Sequence, residues 1–155
     1  RSKTIIHPEV IFLRGERRDS SVEIATLVRR AEPGEDLVNP NQPKVVLDLS
    51  GNAIYFSRSV IPFIRDAPAA EWSARHTYYK HIGLYAYRTG VLKQLTSLPG
   101  SPLEKAESLE QNRWIENGFR IRTAVTLWES VGIDTPEDLE RVEKIFDQKD
   151  KNAYL

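Results

Sequence analysis

Thr77-Tyr78-Tyr79-Lys80-His81-Ile82-Gly83-Leu84-Tyr85-Ala86-Tyr87-Arg88 is the stretch that decides the fold. At a period of two it is a strand. Ile82, Leu84 and Ala86 share one face, which suits packing under helices. Tyr79, His81, Gly83, Tyr85 and Tyr87 share the other. An aromatic and polar face broken by a glycine suits a ligand that approaches the backbone closely. It suits equally a sheet edge or a subunit interface lined by tyrosine.

Working outward, Val22 to Val28 is β-rich and mostly apolar, as a buried strand is. Lys44 to Leu49 and Ala53 to Arg58 flank Ser50-Gly51-Asn52, a hairpin signal. Glu32-Pro33-Gly34 and Asn39-Pro40-Asn41 punctuate loops, and residues 59–76 read as one long loop. Downstream, Ser101-Pro102-Leu103-Glu104 is a capping box with proline at the first helical position. That helix is expected to run to Asn117, where Gly118 stops it. Phe119 to Thr126 alternates as a strand, and Thr135-Pro136-Glu137-Asp138 opens a last helix that reaches Phe146. His7-Pro8-Glu9 opens another near the start. This order predicts an α/β domain with a mixed sheet, spanning residues 1–147, and a polar tail at 148–155.

The chain has 155 residues, 40% hydrophobic and 28% charged, the composition of one globular domain. Lys and Arg number 22, as do Asp and Glu. That neutrality argues against a partner such as nucleic acid bound through its phosphates. No apolar run approaches bilayer length, so no membrane span is expected. Arg1-Ser2-Lys3-Thr4 lacks the apolar core of a signal peptide. Cysteine is absent, which excludes disulfides, thiolate zinc sites and a cysteine nucleophile; a cytoplasmic compartment fits. Methionine is absent too, even at the first position, so the chain is expected to be part of a longer one.

Neither G-x-x-x-x-G-K nor G-x-G-x-x-G nor G-x-S-x-G occurs. His76 and His81 are an odd number of positions apart, so one strand sends them to opposite faces and cannot pair them on a metal. Three features carry chemistry. Asp134 sits between a strand and a capped helix, where a carboxylate holds a hard cation or complements a helix dipole. Glu110 and Gln111 are adjacent polar residues in an amphipathic helix, either a solvent-facing pair or partners for hydroxyls. Arg58 ends a hairpin strand, exposed or set to meet an anion.

Taken in order, several segments resemble one family. These are Asn39-Pro40-Asn41 with Lys44-Val45-Val46, Tyr55-Phe56-Ser57-Arg58, Ile61-Pro62, the His81 to Arg88 strand, Ser101 to Glu104, Glu107-Ser108-Leu109-Glu110-Gln111, and Gly132-Ile133-Asp134-Thr135-Pro136-Glu137-Asp138-Leu139. The set is similar to the 3-deoxy-manno-octulosonate cytidylyltransferases, the CMP-Kdo synthetases, across residues 5–147. The resemblance implies a nucleotide-diphospho-sugar transferase-like fold and a homodimer in the cytoplasm. It implies transfer of CMP from CTP to Kdo with Mg²⁺, releasing pyrophosphate, for lipopolysaccharide biosynthesis. His81, Tyr85, Glu110, Gln111 and Arg58 would line the Kdo pocket, and Asp134 would be a metal ligand. No side chain serves as a catalytic nucleophile. The sugar's carboxylate would meet a cation or donor at His81 or Arg58.

The family's CTP-phosphate loop and its Gln-Gly-Asp-Glu-Pro segment do not occur in this sequence. Ile6-His7-Pro8-Glu9 looks like the stretch that follows them, so the chain is expected to correspond to the C-terminal half. These residues alone are expected not to complete the reaction. Two alternatives remain: a noncatalytic half that keeps the dimer surface and a sugar-acid pocket, or a cytidylyltransferase for another acid sugar.

Overall fold

The computed structural model describes residues 21–127. The helices expected near His7 and after Pro136, the polar tail and Asp134 lie outside the described residues. Five strands form one mixed sheet: β1 (Ile24–Arg30), β2 (Lys44–Leu47), β3 (Ala53–Ser57), β4 (Tyr79–Tyr87) and β5 (Ile121–Thr126), in the order β3-β2-β4-β1-β5. β1 pairs antiparallel with β4 and parallel with β5. The mixed α/β architecture expected from the element order is the one observed.

β4 occupies the middle of the sheet, so it is not an edge. Its pairing with β1 jumps from Thr26↔Tyr85 to Leu27↔Ile82, which leaves Gly83 and Leu84 as a two-residue bulge. Because two residues are inserted, the alternation of faces survives. Tyr79, His81, Tyr85 and Tyr87 stay together with Ile24, Thr26 and Val28 of β1.

The helices are α1 (Trp72–Arg75), α2 (Thr89–Leu95), α3 (Pro102–Glu107) and α4 (Glu110–Glu116). Through Val91, Leu95 and Trp114, α2 and α4 cover that face, the opposite of the sequence expectation. The main core joins Ile24, Val28, Val45, Phe56, Val91, Leu95, Leu109, Trp114 and Ile121, with Tyr79, Tyr85 and Tyr87 packed against it. Ile82 and Ala86 join a smaller cluster with Val22, Ala25, Leu27 and Ala124 on the other face, and Leu84 is exposed in the bulge. Alternation identifies two faces; which one is covered depends on where the helices land, and three aromatic rings offer the larger area to bury.

The hairpin forms as expected. Its turn is tied by Asp48, whose carboxylate accepts from Ser50 N (2.8 Å), Asn52 N (2.7 Å) and Asn52 Nδ2 (2.9 Å), with Gly51 at φ 81°. β2 bonds to β4 only at Lys44 and Val45, then leaves it, and the turn lands on β5. There the Gly51 carbonyl accepts from Thr123 N (2.9 Å) and Thr123 Oγ1 (2.8 Å).

Two expectations need correction. Residues 59–76 contain a 3-10 turn (Ala69–Glu71) and α1, and the segment is pinned rather than open. Tyr78 Oη donates to Pro62 O at 2.7 Å, Trp72 Nε1 to Ala67 O at 2.9 Å, and Phe63 meets Trp72 edge-on. The helix expected from Pro102 to Asn117 is two helices, broken at Ser108, which adopts φ 51°. The capping box itself is formed, with Glu104 N to Ser101 Oγ at 3.4 Å and Ser101 N to Glu104 Oε2 at 3.2 Å. Thr89–Leu95 forms a helix that the sequence did not announce.

Candidate functional site

Under α4, the covered face of β4 carries an aromatic cluster. Tyr85 and Tyr87 stack with centroids 5.7 Å apart, and Trp114 of α4 meets them edge-on at 5.2 Å and 5.6 Å. His81 lies 5.2 Å from Tyr85 and 5.0 Å from Phe56. His81 and Tyr85 are therefore brought together, on an aromatic strand face that packs against the core.

Polar groups are set into this wall. Burial lowers the His81 pKa to about 4, so the ring is neutral at pH 7. Its Nε2 lies 3.1 Å from Thr26 Oγ1. The cation expected for a sugar carboxylate is thus not supplied by His81. Burial also raises Tyr85, as does the neighbouring Tyr87; burial raises Tyr87 to about 12, with Glu110 adding to the effect. Both phenols are neutral donors at pH 7. The Tyr85 hydroxyl and Trp114 Nε1 are buried without a hydrogen-bond partner among the described residues. Thr26 and Trp114 are site residues that sequence reading missed. Thr26 carries no signal beyond that of a strand residue, and nothing in the sequence around Trp114 sets it apart from the rest of its helix.

Glu110 and Gln111 behave differently despite being adjacent. They form the first turn of α4, on successive positions that face different ways. Gln111 is 6% exposed, on the buried side one turn before Trp114. Among the described residues its amide makes no hydrogen bond. Glu110 is exposed and pairs with Arg113, yet its charge reaches both Tyr85 and Tyr87.

Arg58 is held in place by backbone. Its Nε donates to Glu107 O (2.7 Å), Nη1 to Pro40 O (2.8 Å) and Nη2 to Ser108 O (3.2 Å). Two N–H groups of the guanidinium are left after these bonds. Glu107 anchors the same joint. Its carboxylate accepts from Ser57 Oγ at 2.6 Å, Arg58 N at 2.9 Å and Tyr55 Oη at 3.3 Å. Burial alone would raise the Glu107 carboxyl, but these bonds hold it below its usual range. Asn112, fully buried, adds a third tie: Nδ2 donates to Phe56 O at 2.9 Å and Oδ1 accepts from Phe56 N at 3.3 Å. Together Arg58, Glu107 and Asn112 fix where α4 begins against β3, and so where Glu110 and Gln111 stand.

Beyond the aromatic wall, the loop after β1 folds over a buried ionic cluster. Lys80 Nζ donates to Glu35 Oε1 (2.5 Å), Gln42 Oε1 (2.7 Å) and Asp36 O (2.8 Å), and Arg29 also pairs with Glu35. Burial would raise the Glu35 carboxyl, yet the hydrogen bonds from Arg29 and Lys80 outweigh it and bring the pKa to about 2. Lys44 Nζ, also buried, donates to Asn39 O (3.0 Å) and Arg58 O (2.7 Å). Among the described residues no cluster of three or more His, Cys, Asp or Glu could hold a metal, and no helix is long and apolar enough to cross a membrane.

Comparison with known proteins places this geometry. A family model described as "Cytidylyltransferase" matches residues 4–121. A 3-deoxy-manno-octulosonate cytidylyltransferase from Parabacteroides distasonis is 54% identical over 141 residues, covering 88% of this chain and 56% of that protein. The enzyme of the same name from Bacteroides thetaiotaomicron is 56% identical over 131 residues, covering 83% and 52%. A solved structure of CMP:2-keto-3-deoxy-manno-octonic acid synthetase complexed with CTP matches with a TM-score of 0.80 and 38% identity, over 93% of this chain and 58% of that one. The chain spans about half the length of the curated relatives it matches.

Proposed function

The chain belongs to the cytidylyltransferase family, and from that premise we propose that it supplies the sugar-acid side of a site transferring CMP from CTP to 3-deoxy-manno-octulosonate. Pyrophosphate leaves, and the CMP-sugar serves lipopolysaccharide biosynthesis in the cytoplasm; the working unit is a homodimer. The relatives' names motivate the substrates. The observation that carries the reading to these residues is the set of uncommitted polar groups on one aromatic wall: the Tyr85 hydroxyl, the Gln111 amide and the second nitrogen of His81.

The chemistry follows from those groups. A sugar acid offers hydroxyls and a carboxylate. Tyr85 and Gln111 can donate to the carboxylate, and Glu110 and neutral His81 can accept from hydroxyls. The aromatic rings exclude water around the sugar and strengthen each of these bonds. The anomeric hydroxyl attacks the α-phosphorus of CTP, so the chain's task is orientation; no covalent intermediate with the protein is required. Asp134 is proposed as a ligand for Mg²⁺, which neutralises phosphate charge when bound.

The test is steady-state kinetics on the intact gene product, with each substrate varied in turn. Alanine at His81, Glu110 or Gln111 should raise KM for Kdo about five- to hundredfold, the value of one or two hydrogen bonds to a polar ligand, while KM for CTP stays unchanged. Equal loss toward both substrates, or none, overturns the assignment.

A further inference from the structure

The Thr26 hydroxyl faces the Tyr85 hydroxyl and three nearer partners. It lies 2.9 Å from Leu84 O, 3.3 Å from Ile82 O and 3.1 Å from His81 Nε2. It has one proton to give. Carbonyl oxygens accept only, whereas a neutral imidazole nitrogen can be either donor or acceptor. The bulge decides the competition. Gly83 and Leu84 have no pairing residue on β1, and Thr26 is 0% exposed. A proton spent on His81 would give up the shortest of these contacts, the 2.9 Å bond to the Leu84 carbonyl. With the proton on Leu84 O, the hydroxyl oxygen has only lone pairs left for His81, and Nε2 must carry a hydrogen.

We infer that Thr26 is a positioning residue of the sugar site: committed as donor to the Leu84 carbonyl, it fixes His81 as the Nε2–H tautomer and leaves Nδ1 as a hydrogen-bond acceptor for a substrate hydroxyl. The inference rests on the pocket proposed above and deepens it. It assigns His81 to a hydroxyl of the sugar acid and leaves the carboxylate to the donors Gln111 and Tyr85. Burial of the ring between Phe56 and Tyr85 agrees, since it keeps the imidazole neutral and therefore single-protonated at pH 7.

Two measurements on the intact gene product test this. Long-range ¹H–¹⁵N correlation spectra at pH 7, without substrate, read the tautomer directly. The wild type and Thr26→Ser should show the His81 proton on Nε2. In Thr26→Val, which removes the acceptor, part of the population should move the proton to Nδ1. A wild-type proton on Nδ1, or a Thr26→Val spectrum identical to wild type, overturns the inference whatever the substrate proves to be. In kinetics, Thr26→Val should raise KM for Kdo about tenfold, with KM for CTP unchanged and Thr26→Ser restoring it. A change confined to kcat, as lost folding would give, overturns the positioning role. An Nε2 proton together with unaltered Kdo kinetics in His81→Ala refutes the pocket and leaves the tautomer standing.

Discussion

Asn112 and Phe56 exchange two hydrogen bonds, the side-chain amide of one closing on the backbone N–H and C=O of the other at 3.3 Å and 2.9 Å. The amide thus pairs a helix with a strand as another strand would. Asn112→Ala removes both bonds inside a sealed interface, leaving a buried donor and a buried acceptor unpaired. It should cost about 2–4 kcal/mol of stability with little change in urea m-value. A loss under about 1 kcal/mol in urea denaturation would show that water replaces the amide.

Ser108 joins α3 to α4 with a left-handed backbone, φ 51° and ψ 47°. Glycine meets that conformation without a Cβ penalty. Ser108→Gly is expected to stabilise by about 0.5–1 kcal/mol, and Ser108→Ala is not. Thermal unfolding of the pair checks the sign.

His81 gives a pH dependence. Its folded pKa, about 4, lies below the unfolded value of 6.5. Protons bind the unfolded chain first, so this group costs nothing above pH 6.5. Stability falls as pH drops from 6.5 toward 4, by about 3 kcal/mol at the end of that range. Denaturant midpoints across this window for wild type and His81→Gln should converge at low pH relative to their difference at pH 7. Parallel curves would contradict the buried neutral ring.

Glu35 acts in a lower window. Its folded pKa of about 2 lies below the ordinary 4.5, so its contribution is complete above pH 4.5 and is lost as pH falls toward 2. Removing the carboxylate takes the anion away from Lys80, which is 4% exposed. Glu35→Ala should therefore destabilise by about 3–5 kcal/mol at pH 7, and a Glu35→Ala, Lys80→Met double variant should regain much of it. A double-mutant cycle in urea measures the recovery.

Local signals carried much of this fold. Gly51 in its turn, the Ser101–Glu104 capping box and the alternation of β4 each depend on neighbours in sequence, and each element stands close to where it was expected. The break at Ser108 was not legible, because no glycine or proline marks it. Its cause is distant: Glu107 is captured by Ser57 and Arg58, about fifty residues earlier. The covered face of β4 has a related cause: α2 carries no sequence signal, and Trp114 arrives from α4. Of the expected site residues, His81 and Tyr85 could be paired from strand alternation alone. That Glu110 and Gln111 part company, one exposed and one buried, depends on where the clamp at Arg58 starts the helix.

The parallel pairing of β1 with β5 has a kinetic consequence. Ile24 meets Ile121 and Arg29 meets Thr126, so nearly the whole described chain must be made before this ladder can close. Closing so long a loop is slow, because its entropy is lost before the contacts form. During synthesis β1 can settle against β4 while its other edge waits for a strand still inside the ribosome. Until Thr126 emerges, that row of backbone groups is open to any extended segment nearby. The nascent chain therefore passes through an interval in which its most buried strand is half paired.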